Sequence, residues 1–315
     1  MPHTTVRFVA LGLGIALASL SLSCADDSSA PTDPHTTQVV ASAALVWQPM
    51  DSPTPELLWS VWSGKDEVAA VGTRGSANHL TDVWTPKPSG VEGSLCDVWM
   101  HSNGTAIAVG PGGTILRYDE TWSPMTSGTT ADLNDVFGFD DGRAVAVGAG
   151  GTVLALDGGT WSAVDVGTDV HLFGVWGTAP DALFAVGVGG TIIRSEGGVW
   201  SFMDSPTSNN LSSVFGGTST LVYAVGDAGT ILRYTGSPWT PMDSGTSANL
   251  YDVHGTAPGN LWTAGEAGTI LHFDGTSWSP SESGTDRNLF GIFARRADLA
   301  YAVGDEGVIL RYAEE

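Results

Sequence analysis

A unit of 38 or 39 residues recurs seven times along this chain of 315 residues, and it constrains the fold more than any other feature of the sequence. The segment at residues 108–138 returns almost unchanged at residues 224–255. Every copy carries the element A-V-G-x-x-G or a close variant of it. The first glycines of these elements are Gly72, Gly110, Gly148, Gly187, Gly226, Gly265 and Gly304. Such a period indicates an array of equivalent supersecondary units.

Each unit contains four short β-rich segments separated by glycine, serine or proline. In residues 250–281 they are LYDVH, LWTAG, GTILHF and SWSPS. Four strands of about five residues, with four connections of about four, account for the period. Beyond the first 22 residues no stretch has the apolar period of a helix. The sequence therefore predicts an all-β fold, a seven-bladed β-propeller of four-stranded antiparallel blades.

A second marker, a tryptophan in the last segment of each unit, shows how the ring closes. It occurs at Trp47, Trp84, Trp122, Trp161, Trp200, Trp239 and Trp278. The first of these precedes the first complete unit, whereas the last unit ends without one. We therefore expect the strand from Ala44 to Met50 to complete the seventh blade from outside. The inner three strands of that blade would come from residues 289–312, and the propeller would span residues 44–315.

The stretch A-V-G-x-x-G-T-I-L-R-Y, followed by D-G-x-x-W and S-G-T, resembles the bacterial neuraminidase repeat, or Asp-box, propellers. Within that family it is most similar to the photosystem II assembly-factor-like group. The resemblance covers about residues 44–315 and implies the propeller fold without implying an activity. Members of the assembly-factor group use an arginine-rich face for their partner, and this chain has no evident counterpart.

The N-terminus has the layout of an export signal, residues 1–23. Arg7 precedes an uncharged apolar run at residues 8–22, which is too short to span a membrane. The run ends in Ser-Leu-Ser-Cys, which resembles a bacterial lipobox and predicts lipidation of Cys24. Ordinary cleavage two residues later also fits the small-x-small rule and would release a secreted protein, so both outcomes stay open.

Residues 24–43 are rich in Asp, Ser, Thr and Pro, and we expect them to form a disordered tether. Together with the signal, this tether predicts an exported protein. Lipidation would anchor it to the bacterial cell envelope, at the outer membrane or the surface.

The chain is strongly acidic, with 34 Asp and Glu against 12 Lys and Arg and a net charge of −22. It lacks the basic stripe that a phosphate backbone requires, and anionic lipid would repel it. We therefore expect no nucleic-acid partner and no membrane contact other than the lipid anchor. The expected partner is an envelope or extracellular protein, and the propeller is expected to be a monomer.

Function is sought where copies depart from the repeat consensus, because consensus positions hold strands, turns and core. The connection between the second and third strands is neutral in the early blades and acidic in the last three, where it carries Asp227, Glu266, Asp305 and Glu306. The outer-to-inner connections open on the same face, and at their start stand Asp204, Asp243 and Glu282. These carboxylates predict a site for a basic protein patch, or for a cation such as Ca²⁺. A merely solvated surface is the alternative.

Side chains of the inner strands receive a structural interpretation. One equivalent position holds Trp62, Trp99, Phe137, Trp176, Phe215, His254 and Phe293. Six aromatic residues there indicate packing, and His254 is expected to be a core histidine because no neighbouring histidine completes a metal site. Asp97, Asp135 and Asp252 share another inner-strand position, where we expect them to hydrogen-bond within strands or turns.

The connections hardly vary in length, which leaves no room for a catalytic insertion. The chain also lacks a nucleophile elbow, a C-x-x-C pair, an H-E-x-x-H motif and a P-loop lysine. The sequence therefore predicts a non-catalytic binding or scaffold protein, without cofactor or metal, that presents a loop face to a protein partner. Two alternatives remain, a glycan-binding propeller with exposed tryptophans at the channel mouth and a degenerate glycosidase of the Asp-box type.

Overall fold

A computed structural model describes residues 44–314, which form seven four-stranded antiparallel sheets. The predicted seven-bladed propeller is confirmed. No helix of this part of the chain is long and apolar enough to cross a membrane. The predicted signal, the lipidation site Cys24 and the tether lie outside the described residues.

The 28 strands are, in chain order, β1 Leu45–Pro49, β2 Leu58–Ser63, β3 Val68–Gly72, β4 Ala77–Leu80, β5 Trp84–Pro86, β6 Asp97–Met100, β7 Ala106–Gly110, β8 Thr114–Asp119, β9 Thr121–Pro124, β10 Leu133–Gly138, β11 Ala144–Gly148, β12 Val153–Asp157, β13 Thr160–Ala163, β14 Leu172–Ala179, β15 Ala182–Gly187, β16 Ile192–Glu196, β17 Val199–Phe202, β18 Leu211–Thr218, β19 Leu221–Gly226, β20 Ile231–Tyr234, β21 Trp239–Met242, β22 Leu250–Ala257, β23 Asn260–Gly265, β24 Ile270–Phe273, β25 Trp278–Pro280, β26 Leu289–Arg296, β27 Leu299–Gly304 and β28 Ile309–Glu314. Blades 1 to 6 are β2–β5, β6–β9, β10–β13, β14–β17, β18–β21 and β22–β25. Blade 7 is β26, β27, β28 and β1.

Ring closure follows the prediction from the tryptophan marker. Strand β1 pairs antiparallel with β28, from Leu45 opposite Glu314 to Pro49 opposite Leu310. Trp47 of β1 packs against Trp262 and Tyr312, with ring centroids 5.4 Å away in both cases. The N-terminal strand therefore covers the edge that β28 would otherwise expose.

Apolar side chains fill the spaces between adjacent blades. One such cluster joins Leu58 and Val61 of blade 1 to Tyr301 and Val303 of blade 7. Because every blade has a neighbour on both faces, the second strand is buried on both sides. In β3 all five residues, VAAVG, are buried. This explains why the second strand is a continuous apolar run without alternation.

The connections form two ends. The acidic face comprises the outer-to-inner connections and seven three-residue 3-10 turns between second and third strands, which are Thr73–Gly75, Pro111–Gly113, Ala149–Gly151, Val188–Gly190, Asp227–Gly229, Glu266–Gly268 and Asp305–Gly307. Glycine is required here. A Cβ on Gly265 would run into the carbonyl oxygen of Asn249, and Gly268 has a φ of +71°. The opposite end, the hairpin face, carries the connections between first and second strands and between third and outer strands.

Candidate functional site

The predicted carboxylates of the last three blades occupy the 3-10 turns of the acidic face. Asp227, Glu266 and Asp305 are each the first residue of their turn. The next residue of each turn is left-handed, although it is Ala228, Ala267 or Glu306 and not glycine. The repeat thus places one carboxylate at the same position in three successive blades.

Asparagines of the outer-to-inner connections bind these turns to one another. Asn249 Oδ1 accepts a hydrogen bond from the Ala228 amide of blade 5 at 2.9 Å, and the Asn249 amide donates to Glu266 Oε2 of blade 6 at 3.3 Å. One blade later, the Asn288 backbone amide makes the equivalent contact to Asp305 Oδ2 at 3.3 Å. One blade earlier, it is the Asn210 side chain that donates, from Nδ2 to Asp227 Oδ2 at 2.9 Å. The three carboxylates therefore fix the loops of the face as well as supplying negative charge.

Three aromatic side chains lie in a row across blades 6, 7 and 1 at this end of the propeller. The Phe290 ring lies 5.0 Å from Tyr251 and 4.7 Å from Trp59, centroid to centroid, and all three are half-buried. Each is the second residue of its inner strand, where the register shifts by one residue in a β-bulge. Because a bulge turns its extra residue out of the ladder, these side chains project at the mouth of the channel.

The acidic turns pack against the inner strands that carry this aromatic row, because residues 227–229 contact β22, residues 266–268 contact β26 and residues 305–307 contact β2. The pKa of the Tyr251 hydroxyl is raised, chiefly because burial disfavours the phenolate and further because Glu266, Asp305 and Asp227 repel it. Tyr251 is therefore close enough to carboxylates of blades 5, 6 and 7 for their charge to act on its hydroxyl. Asp227, Glu266, Asp305 and Tyr251 form a single site with Phe290 and Trp59, which we call the acidic aromatic site.

The other predicted residues join this site less closely. Arg287 Nη1 contacts Glu306 Oε1 at 2.5 Å, so the Glu306 carboxylate is already paired. Glu282 lies beside a separate cavity of about 670 Å³ at blade 6. Asp243 binds the Gly245 amide of its own turn at 2.9 Å, and Asp204 is exposed. Within residues 44–314 no hydrogen bond or ion pair connects Asp204 or Asp243 to the acidic aromatic site.

The calcium alternative finds no preformed ligand set. Among the described residues, no three His, Cys, Asp or Glu side chains are grouped so that they could hold a metal ion. The three turn carboxylates come from different blades, and each accepts a hydrogen bond from a loop asparagine. What the arrangement offers is a distributed negative surface around aromatic rings.

Aromatic side chains close the axis of the propeller. The Trp62 ring lies 4.9 Å from Phe293, 5.3 Å from His254 and 6.0 Å from Phe137. The plug continues through contacts of 4.1 to 6.4 Å that join Phe293, His254, Phe215, Trp176 and Phe137. We call this group the aromatic plug, and it confirms the packing role predicted for the position.

His254 is the one polar member of the aromatic plug. Its Nδ1 accepts a hydrogen bond from the Ala294 amide of blade 7 at 3.1 Å. Burial lowers the pKa of the imidazole to about 3, so the ring is neutral at physiological pH. The predicted core histidine is confirmed.

Beside the plug, carboxylates join neighbouring inner strands. Asp97, Asp135 and Asp252 accept hydrogen bonds from amides of the following blade, at 3.0 Å from Val136, 2.6 Å from Val175 and 2.8 Å from Ile292. They line a cavity of about 50 Å³ together with Ser60 and Ser213. The predicted strand hydrogen-bonding role is confirmed, and it acts between blades.

Two of these carboxyls, Asp135 and Asp252, are difficult to ionise. Burial raises the pKa of Asp252 to about 6, with a smaller contribution from the charge of Asp97. The pKa of Asp135 lies well above its ordinary value because of burial and the nearby Asp97 carboxylate. Hydrogen bonds from backbone amides oppose both shifts. The three carboxyls thus join neighbouring blades as hydrogen-bond acceptors, although they lie close to one another.

Sequence reasoning missed the aromatic row. The position after the first leucine of L-x-x-V holds Trp59, Cys96, Asn134, Phe173, Ser212, Tyr251 and Phe290. The residue type at this position varies between blades, whereas the Leu and Val of the motif hardly change, and this contrast was the signal in the sequence for a functional position. It would have directed attention to the successive blades 6, 7 and 1, and also to Phe173 of blade 4, although the bulge that projects these residues is not visible in the sequence.

Solved structures resemble this chain in fold. YCF48 bound to D1 peptide is 19% identical, with a TM-score of 0.71 over 89% of this chain and 100% of that one. A streptogramin B lyase is 12% identical, with a TM-score of 0.78 over 86% of this chain and 98% of that one. The WD40 propeller domain of Doa1 is 11% identical, with a TM-score of 0.74 over 85% and 97% of the two chains. These likenesses concern the fold alone.

No protein-family model matches the chain, and no curated protein does. The likeness to YCF48 agrees with the resemblance to photosystem II assembly factors at the level of the fold. Membership of the Asp-box group is not supported beyond that. The structural neighbours include a lyase as well as a propeller solved with a peptide, so the fold by itself is compatible with catalysis and with binding.

Proposed function

We propose that this propeller is a non-catalytic scaffold that binds a basic segment of a protein partner at the acidic aromatic site. The observation that carries the proposal is that the acidic turns of blades 5, 6 and 7 pack against the inner strands of the following blades, which carry the half-buried Tyr251, Phe290 and Trp59. The aromatic row extends from that tyrosine across two further blades.

The chemistry of the site suits a lysine or arginine side chain. An aromatic face attracts a cation within about 6 Å of the ring centroid, and partial desolvation strengthens the contact. The surrounding carboxylates supply charge complementarity and accelerate encounter with a basic partner. Because the asparagine contacts hold the turns in place, little ordering is needed on binding.

The comparisons support this kind of partner in one respect. A propeller of similar fold has been solved with a peptide bound, so this architecture can hold a peptide. The charge of the proposed surface is opposite to that of the arginine-rich face used by the assembly-factor group, since this chain offers carboxylates. The proposal of a non-catalytic protein is supported by the seven turns of the acidic face, which all keep three residues.

The proposal places the protein at the cell envelope on the basis of the predicted signal and Cys24. Strand β1 runs from the hairpin face, where Leu45 pairs with Glu314, toward the acidic face. The described part of the chain therefore begins at the hairpin face, at the end of the propeller opposite the acidic aromatic site.

The test is crosslinking in intact cells, followed by capture and mass spectrometry, with one charge-neutralising variant. The variant combines Asp227→Asn, Glu266→Gln and Asp305→Asn, which retain an oxygen acceptor for each loop asparagine. The matched control combines Asp66→Asn, Asp82→Asn and Asp181→Asn, which remove the same charge from exposed carboxylates of the hairpin face. We expect a partner that the control retains and the first variant loses.

Salt separates the alternatives. Capture of a basic protein segment should weaken markedly as salt screens the charges, because the Debye length falls from about 10 Å at 0.1 M to about 3 Å at 1 M. A glycan stacked on Trp59 would be almost indifferent to salt, and a glycosidase would release sugar from a polysaccharide panel. Equal capture by both variants would reject the acidic aromatic site as the binding surface.

A further inference from the structure

The hairpin face carries a cavity of about 880 Å³ at the axis, on the opposite side of the propeller from the acidic aromatic site. Trp62, Trp99, Phe137 and Phe293 provide its aromatic lining, which includes the outer surface of the aromatic plug. This volume falls within the range of small-ligand pockets. The cavity has no role in the function proposed above.

Two cations from adjacent blades stand together at its rim. Lys65 of blade 1 and Arg295 of blade 7 both line the cavity, and an Arg295 guanidinium nitrogen donates to the Lys65 carbonyl oxygen. That contact positions the guanidinium and leaves other N–H donors available. Neither side chain forms an ion pair among the described residues, whereas six other arginines of the propeller do.

The opposite wall differs in charge. Arg143 lies there, but Asp141 Oδ2 accepts hydrogen bonds from its Nε at 2.9 Å and its Nη2 at 2.6 Å. The neighbouring Asp140 carboxylate is exposed. A carboxylate-bearing ligand would therefore be drawn to the Lys65 and Arg295 corner and repelled from the opposite wall, which fixes its orientation.

We propose that this cavity binds the C-terminal end of a polypeptide whose last side chain is apolar. The free carboxylate pairs with Arg295 and Lys65, and the last side chain packs on the aromatic floor. A polypeptide end supplies both groups on one residue, and the open rim lets the preceding chain leave toward solvent. Charge-assisted hydrogen bonds to a guanidinium give the carboxylate its selectivity over an amide.

The experiment measures binding of fluorescent hexapeptides to the full chain by anisotropy. The peptides share the sequence Gly-Ser-Gly-Ser-Gly and end in Phe, Leu, Gly or Asp, each as the free acid and as the C-terminal amide. We expect the free acids ending in Phe and Leu to bind, with the amides and the Gly and Asp peptides at least about tenfold weaker. The variants Arg295→Gln and Lys65→Gln should each weaken the free acid by a similar factor.

The matched control is Arg296→Gln. Arg296 is the next residue along the chain, is exposed, and pairs with Asp298 at 3.0 Å. It should leave the affinity unchanged, as should the charge-neutralising variant of the acidic aromatic site, so failure here is distinguishable from failure of the proposed function. Equal binding of acid and amide, or no binding of any peptide, overturns the proposal. N-acetylphenylalanine binding as tightly as the hexapeptide would instead assign the cavity to small carboxylates.

Discussion

Asp252 of blade 6 accepts a hydrogen bond from the backbone amide of Ile292 in blade 7, at 2.8 Å. It also accepts from the Ser213 hydroxyl of blade 5 at 2.8 Å, so one carboxyl group spans three blades. The propeller is thus joined near its axis by side chains as well as by apolar packing. Each such contact is also a place where the stability of the ring can be changed.

The first prediction concerns pH. The pKa of Asp252 is about 6 in the folded chain and near 3.8 when unfolded, so the folded state holds the proton more tightly. Its contribution to stability is therefore fully present below about pH 4 and is lost as pH rises through 6. Between pH 4 and 7 we expect the unfolding free energy of Asp252→Asn to fall by about 2 kcal/mol less than that of the parent protein.

Urea unfolding across that range provides the measurement. Because the whole chain is acidic, the parent protein will also lose stability from general repulsion, and only the difference between proteins is informative. Asp243→Asn, an exposed carboxylate on the acidic face, is the control and should leave the slope unchanged. Parallel slopes for Asp252→Asn and the parent would show that Asp252 does not titrate in this range.

A second prediction concerns the loop asparagines. Asn249→Ala removes the acceptor of the Ala228 amide and should lower the unfolding free energy by about 1 kcal/mol. Asn249→Asp keeps that acceptor, as Asp132 does for the Gly112 amide at 2.8 Å, and should recover most of the loss at high salt. If both variants unfold at the same urea concentration, the hydrogen bond is not the source of the effect.

A third prediction tests the packing of Trp99. A Cβ on Gly138 would lie 2.5 Å from the Trp99 ring, so Gly138→Ala must displace that ring. Overpacking of this kind should lower the unfolding free energy by about 1–3 kcal/mol. The tryptophan fluorescence should also shift, because Trp99 lines the hairpin-face cavity. Gly93→Ala meets nothing within 4 Å and serves as the control. A stable Gly138→Ala protein with unchanged emission would contradict the contact.

The fourth prediction addresses ring closure. Deleting residues 1–52 removes β1 and exposes the edge of β28, together with the apolar surface that Trp47 covers. We expect the melting temperature to fall by about 5–10 °C, or the protein to self-associate. Deleting residues 1–43 is the matched truncation and should preserve both properties. A monomer with unchanged melting temperature after the longer deletion would refute the closure.

The repeat was sufficient to predict the blades, their order and the closing strand, because a period of this length specifies both strand number and topology. Trp47 alone located the N-terminal strand in the last blade. Carboxylate positions in the turns also followed from the repeat. In these respects the fold is encoded locally, within single units.

The site was less accessible to sequence reasoning because it depends on contacts between units. The pairing of Glu306 with Arg287 and the bridging role of Asn249 join residues from different elements, which no single repeat displays. The projection of Tyr251 depends on a one-residue bulge that the apolar pattern does not reveal. The cavity at Lys65 and Arg295 brings together residues 230 positions apart.

The aromatic plug gives the molecule a partition along its axis. Because Trp62, His254 and Phe293 are in mutual contact, a solute that enters the channel from one face cannot pass through to the other. The two ends can therefore be occupied, blocked or altered by substitution independently. A single rigid ring would then bring two different molecules to a fixed separation, set by the height of its strands.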